Sequence, residues 1–230
     1  MASQIHIISS MATKQLLADL VAQFQQSHPQ QDIRVEAVGG VDAAKRVEAG
    51  EALDAIVLAA DVIDRMTAAG RIVAGSRVDL VKSGVYVAVR AGAAHPDIGS
   101  EAALKQAVLE AGTIGYSTGP SGVYLAKLFE RWGIAGQIKD RIVQAKPGVP
   151  VGSLIAKGEV ELGFQQLSEL MNLPGIDIVG PLPPEIQVLT TFSAGIAAAS
   201  SQADEVRALL AFMGSADAAE IKRRNGMEPL

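Results

Sequence analysis

Cysteine is absent from all 230 residues. That removes disulfides, thiol nucleophiles and thiolate metal sites together. The three histidines, His6, His28 and His95, are scattered without metal-ligand spacing, so no zinc or other metal site is expected. Aromatic residues make up 4% of the chain, too few for a base-stacking surface or an aromatic sugar platform. Acidic residues outnumber basic ones by 25 to 20, a net charge of −5, which argues against a nucleic-acid partner. It does not argue against a small anion, because oriented backbone amides bind anions with little net positive charge. No apolar run is long enough to span a bilayer. No charged-then-apolar leader with a small-residue cleavage site opens the chain. The expectation is therefore conditional: periplasmic if a leader was trimmed, cytoplasmic if Met1 is the native start.

What the sequence does contain is a repeated corner. Residues 5–13, Ile-His-Ile-Ile-Ser-Ser-Met-Ala-Thr, read as a short strand that delivers two hydroxyls to a helix start. The following helix shows its apolar face at Leu16, Leu17, Leu20, Val21 and Phe24. Early helix N–H groups lack internal partners and the helix dipole favours negative charge there, so such a corner is ready for an anion. Simple capping by Ser9 or Ser10 is the competing reading.

The pattern recurs. A strand over 32–38 meets Gly39-Gly40-Val41-Asp42, with Asp42 a candidate cap, and a strand over 53–58 meets a helix with Asp61 as its candidate cap. Residues 78–90 read as an extended stretch broken at Lys82-Ser83-Gly84. The strand 113–116 turns at Ser117-Thr118-Gly119-Pro120-Ser121-Gly122, where Pro120 pre-sets the helix entry. The strand 142–144 turns at 147–152 into a helix over 153–157. The strand 160–164 leads through Gln165-Gln166 to a helix holding Glu169. Residues 180–184 read as a rigid connector, and a long strand-like run follows over 188–198. Strands alternating with helices specify a parallel α/β sheet, in which ligands sit beyond the carboxyl ends of the strands. Lys222, Arg223 and Arg224 fit the negative end of a last helix.

Several of these segments resemble one family when taken together: the early Ile-Ser-Ser, Val-Glu-Ala-Gly-Glu-Ala-Leu-Asp (47–54), Tyr-Ser-Thr-Gly-Pro-Ser-Gly-Val-Tyr-Leu-Ala-Lys (116–127), Gly-Glu-Val-Glu-Leu-Gly-Phe-Gln-Gln (158–166) and the closing Gly-Met-Glu-Pro. They are similar to the molybdate-binding branch of the type 2 periplasmic binding proteins, over essentially the whole chain. The resemblance implies two α/β lobes, residues 1–82 with 190–230 and residues 83–189, joined by two crossover strands, with the ligand between them. It implies ligand contacts at Ser9, Ser10 and Met11, at Gly39, Gly40 and Val41, at Ser83, at Thr118, Ser121 and Gly122, at Gly148 and Val149, and at Gln165 and Gln166. The chain departs from the oxyanion-binding pattern at two of these places. Gly39 or Gly40 stands where those proteins carry a second serine, and Gln166 stands where they carry a tyrosine. The departures point to a larger organic di- or tricarboxylate.

Two functions fit. One is a monomeric substrate-binding protein that delivers its anion to an ABC-transporter membrane component, with no cofactor. The other is a cofactor-independent isomerase on the same scaffold, as some relatives of this branch resemble aconitate isomerases. Proton transfer would then need a positioned group, for which Lys82, Tyr116, Tyr124 and Glu169 are the candidates. A sensing domain split from a regulator ranks last, because nothing resembles a helix-turn-helix.

Overall fold

The computed structural model describes residues 4–230. The elements run β1 (Ile5–Ser10), α1 (Lys14–Ser27), β2 (Ile33–Val38), α2 (Gly40–Glu48), β3 (Ala55–Ala59), α3 (Ala60–Ala68) and β4 (Val78–Arg90). They continue with α4 (Glu101–Glu110), β5 (Ile114–Tyr116), α5 (Pro120–Arg131), α6 (Ala135–Ile138), β6 (Ile142–Gln144), α7 (Val151–Ala156), β7 (Leu162–Gln166) and α8 (Leu167–Leu170). Last come β8 (Ile176–Pro181), β9 (Leu189–Ile196), α9 (Ala203–Gly214), α10 (Ala219–Arg224) and β10 (Glu228–Pro229). The chain forms two compact units, one of residues up to Ser83 with Thr190–Leu230, the other Gly84–Leu189.

In the first unit β1 lies between β2 and β3, parallel to both, with Ser10 opposite Val38 and Ser9 opposite Val57. β9 runs antiparallel to β3. Strand alternation divides β1 between two cores. Ile5 and Ile7 face a cluster with Leu16, Leu20, Phe24 and Leu209 from α1 and α9. Ile8 faces another with Ala43, Val47 and Ile63 from α2 and α3. Each fully buried isoleucine contributes roughly 1.5–3 kcal/mol. The consequence for function lies one residue further on. Ser10 shares the side of Ile8, toward α2, whereas Ser9 shares the side of Ile7.

The second unit repeats the plan. β5 lies between β6 and β7, parallel to both, and β4 pairs antiparallel with β7 and β8. Ile114, Tyr116, Leu162 and Phe164 face a core with Leu125 and Phe129 of α5. The opposite face packs Val151 and Ile155 of α7 and Leu170 of α8. Gly115 and Gly163 sit on that face, where an added Cβ would come within 2.7 Å of Val160 and 2.4 Å of Ile155. The small residues let α7 lie directly on the strands.

Several sequence expectations are corrected. β4 continues unbroken through Ser83 and Gly84. β7 runs on to Gln166, so both glutamines are strand residues, and α7 begins two residues earlier than expected, at Val151. The caps are Gly39 and Ala59 instead of Asp42 and Asp61, which lie within the first helical turns. β8, expected only as part of a connector, carries Gly180 and Pro181. Lys222 stands with Arg223 and Arg224 in the last turn of α10, as expected, and its side chain is fully buried.

Candidate functional site

In the first unit, the ends of β1 and β2 lie side by side, and each strand gives way at once to a helical segment. Ser10 is 8% exposed, and its Oγ is a buried polar atom with no hydrogen-bond partner. It does not cap the following 3-10 turn. The hydroxyl is therefore not spent on local structure, which sets aside the capping explanation for Ser10. Ser9 Oγ makes a 3.3 Å bond to the Ser10 carbonyl on the opposite side of the strand. Met11 is half-buried at the start of the turn.

Gly39 is the N-cap of α2, and the first helical bond runs from Ala43 N–H to the Gly39 carbonyl at 2.9 Å. The amides of Gly40, Val41 and Asp42 thus precede the helical ladder. A Cβ added at Gly40 would have only Ser10 Cβ, at 3.8 Å, within reach. The Ser10 hydroxyl and the amides of α2 consequently form one donor-rich, uncrowded corner. Arg46 braces its helix from behind, with bonds of 2.5 Å to Glu36 and 2.5 and 2.6 Å to Glu51. That guanidinium holds the Glu36 carboxyl at about 2. Lys82 is half-buried on β4 opposite Glu228 of β10, and Ser83 is buried beside it.

In the second unit, the ends of β5, β6 and β7 also share an edge. After β5, Ser117 Oγ accepts the Gly119 N–H at 3.2 Å and tightens the turn. Gly119 caps α5 and Pro120 opens it. The first helical bond is Val123 N–H to Gly119 at 3.1 Å, which leaves the amides of Ser121 and Gly122 ahead of the ladder. Gly122 is obligatory: a Cβ there would fall 1.6 Å from the Ser117 carbonyl oxygen. Thr118 is half-buried in the turn. After β6, Val149 N–H is occupied by the Lys146 carbonyl at 3.0 Å, and Gly148 turns the chain at φ +77. Of this pair, Val149 is therefore not a spare donor.

The most developed polar arrangement joins β7, α7 and α8. Gln165 Oε1 accepts the Val151 N–H at 2.8 Å, and Gln165 Nε2 donates to Glu169 Oε1 at 2.7 Å. Glu169 keeps some residue surface, yet its carboxyl is enclosed. Burial pushes it up to about 7, and only the Gln165 bond pulls it back. Gln166, on the opposite side of β7, is buried and engaged in contacts of its own.

The two tyrosines named from sequence are differently placed. Tyr116 packs in the core, its ring 6.1 Å from that of Phe129, and burial raises its phenol. Tyr124 donates its hydroxyl to the Ile186 carbonyl at 2.6 Å, holding down the segment before β9. Sequence reading missed Ser117 as the turn's acceptor and Val151 as the anchor of Gln165. The four-residue spacing of Gln165 and Glu169 was visible, but the pair meets across the junction of β7 and α8, which emerges only once the strand end and helix start are known. Among the described residues no cluster of three or more His, Asp or Glu side chains could hold a metal, and no helix is long and apolar enough to cross a membrane.

Donor-lined corners at the strand ends of two α/β units define a solute-binding fold of the type 2 periplasmic kind. Residues 5–228 match the family of bacterial extracellular solute-binding proteins, and the chain belongs to it. Among solved structures, the fold is similar to the periplasmic molybdate-binding protein of Azotobacter vinelandii, with a TM-score of 0.81 and 17% identity over 97% of this chain and 98% of that one. A tungstate ABC transporter structure from Geobacter sulfurreducens matches with a TM-score of 0.75 and 17% identity over 95% and 97% of the two chains. In sequence, an aconitate isomerase from Pseudomonas sp is 40% identical over 190 residues, 80% of this chain and 71% of that protein.

Proposed function

We propose that this protein binds an unsaturated tricarboxylate of the aconitate class and moves a proton along it, an isomerisation that needs no cofactor. The observation that carries the reading is the Glu169 carboxyl, enclosed and held by Gln165 at the strand ends of the second unit. A carboxyl that titrates near neutrality is matched to giving and taking protons. The 40% identity to an aconitate isomerase supports the same reading. Groups suited to carboxylates stand at the strand ends of each unit taken by itself: Ser10 Oγ and the first amides of α2 in the first, the amides of Ser121 and Gly122 in the second. Donors of this kind also stabilise the charge that develops on a carboxylate when the neighbouring carbon loses its proton.

The step balances without a co-reactant. Glu169, as carboxylate, takes a proton from the methylene carbon of the substrate. The C–H electron pair becomes a new C=C bond, and the original π pair takes a proton from the Glu169 carboxylic acid at the far carbon. Glu169 ends as it began, with the double bond shifted by one carbon.

The test is to incubate the protein with trans-aconitate in deuterium oxide and follow cis-aconitate and carbon-bound deuterium by NMR. Interconversion is expected, with Glu169→Gln losing about 1000-fold in kcat while still being stabilised by ligand. Ligand binding without turnover or exchange would overturn the isomerase reading. It would leave a receptor that delivers a carboxylate to an ABC transporter, the role suggested by the fold it shares with molybdate-binding proteins.

A further inference from the structure

Gln165 is 1% exposed on β7, and both ends of its amide are used. One partner, the Val151 N–H, can only donate, so the oxygen of the Gln165 amide must face it. The nitrogen then faces Glu169 Oε1, which it meets at 2.7 Å. The usual ambiguity of a glutamine's orientation is therefore resolved by chemistry. Val151 is itself buried at the start of α7, and Gly163 and Gly115 hold that helix hard against the strands.

We infer that Gln165 is a positioning residue for the Glu169 carboxyl, fixing its Oε1 edge so that Oε2 is the edge that exchanges protons with substrate. The inference rests on the proton-transfer role proposed for Glu169. An N–H aimed at Oε1 stabilises the carboxylate, so Gln165 also sets how readily Glu169 is available as a base. No neighbouring charge is among the influences on this group: burial raises it and the Gln165 bond lowers it. The arrangement restricts both the direction of proton transfer and the pH at which it operates.

Two variants separate positioning from mere structural support. Gln165→Leu removes the donor to Glu169 and the acceptor for Val151 together. Gln165→Glu keeps an acceptor for Val151 N–H but replaces the donor with a like charge. The carboxyl titration of Glu169, read by carbon-13 NMR, should move up by about one pH unit in Gln165→Leu and further in Gln165→Glu. The acid limb of the kcat profile should follow it, with kcat down about 10- to 100-fold and KM within about 2-fold. A folded variant in which the midpoint stays in place would overturn the inference, even with activity lowered. If the midpoint moves in both variants but the wild-type protein turns over no aconitate, Gln165 still sets the ionisation of Glu169, while the isomerase reading and the proton exchange at Oε2 that rests on it both fall. If turnover is present and neither variant moves the midpoint, the isomerase stands and the positioning role falls.

Discussion

The two units place polar groups at the ends of parallel strands by the same topology, yet they treat those groups in opposite ways. In the second unit the polar groups are linked: Val151 to Gln165 to Glu169, and Ser117 to Gly119. In the first unit Arg46 is likewise tied to Glu36 and Glu51, but the hydroxyl at the end of β1 is left open. Among the described residues, two buried side-chain polar atoms with no partner lie there, Ser10 Oγ and Lys222 Nζ, while His6 Nε2 stands 3.4 Å from Glu36 Oε2. A satisfied chain holds a group in one orientation, as proton transfer requires. An unsatisfied donor gains most from an incoming anion, as binding requires. The difference is one of satisfaction: a linked chain fixes orientation in the second unit, and an unspent hydroxyl stands ready in the first.

The largest expected effect tests whether the two glycine corners differ as their surroundings indicate. Gly122→Ala places a Cβ 1.6 Å from a backbone oxygen, so the turn over Ser117 must move. A loss of about 4 kcal/mol or more, or failure to fold, is expected in chemical denaturation. Gly40→Ala meets nothing closer than 3.8 Å, and its stability should stay within about 1 kcal/mol. Equal destabilisation by both would abolish the distinction between a packed corner and an open one.

Acidity should divide the units next. Glu169 sits at about 7 in the fold against an ordinary 4.5. The folded protein therefore retains a proton that the unfolded chain releases, and stability is lost as pH rises from 4.5 to 7, by at most about 3 kcal/mol. Glu36 is the reverse case, held at about 2 by Arg46. Its contribution is present above 4.5 and lost as pH falls through 2. Thermal unfolding across pH should show both slopes. Glu169→Gln should flatten the upper one alone, and Arg46→Met the lower one alone. A Glu169→Gln protein with an unchanged upper slope would place that titration elsewhere.

These contrasts explain what the sequence could and could not disclose. Alternation and helical spacing made the βα order readable, because burial on two sheet faces leaves a periodic trace. The corners were readable because Gly, Ser and Pro have backbone reasons to stand there. What the sequence concealed depends on three-dimensional pairing. Ser9 and Ser10 are adjacent hydroxyls, and only the strand's facing decides that Ser10 turns toward α2. Tyr116 looked available from its neighbours, but it shares a face with Ile114 and so enters the core. The place of Lys222 in the basic last turn of a final helix was readable, but that its side chain is buried follows only from how that helix packs.

Ser10→Ala should lower affinity without lowering stability. Its hydroxyl has no partner to lose, so unfolding should shift by less than about 0.5 kcal/mol. A hydrogen bond to an anion is worth about 1.5 kcal/mol or more, so calorimetry with the aconitates should show roughly 10-fold weaker binding. Unchanged affinity would remove Ser10 from the site and with it the asymmetry between the units.

The smallest effect separates Lys222 from Ser10 within the first unit. Lys222 is 0% exposed, its ammonium lacks a hydrogen-bond partner, and burial lowers its pKa. Burying a charge unpaired opposes folding, and methionine offers similar length without it. Lys222→Met should therefore raise stability by about 1 kcal/mol, with ligand affinity unaltered. A stabilised protein that binds normally would mark Lys222 as a cost of the fold, distinct from Ser10. A variant that binds less tightly would instead give Lys222 a part in binding and set it beside Ser10.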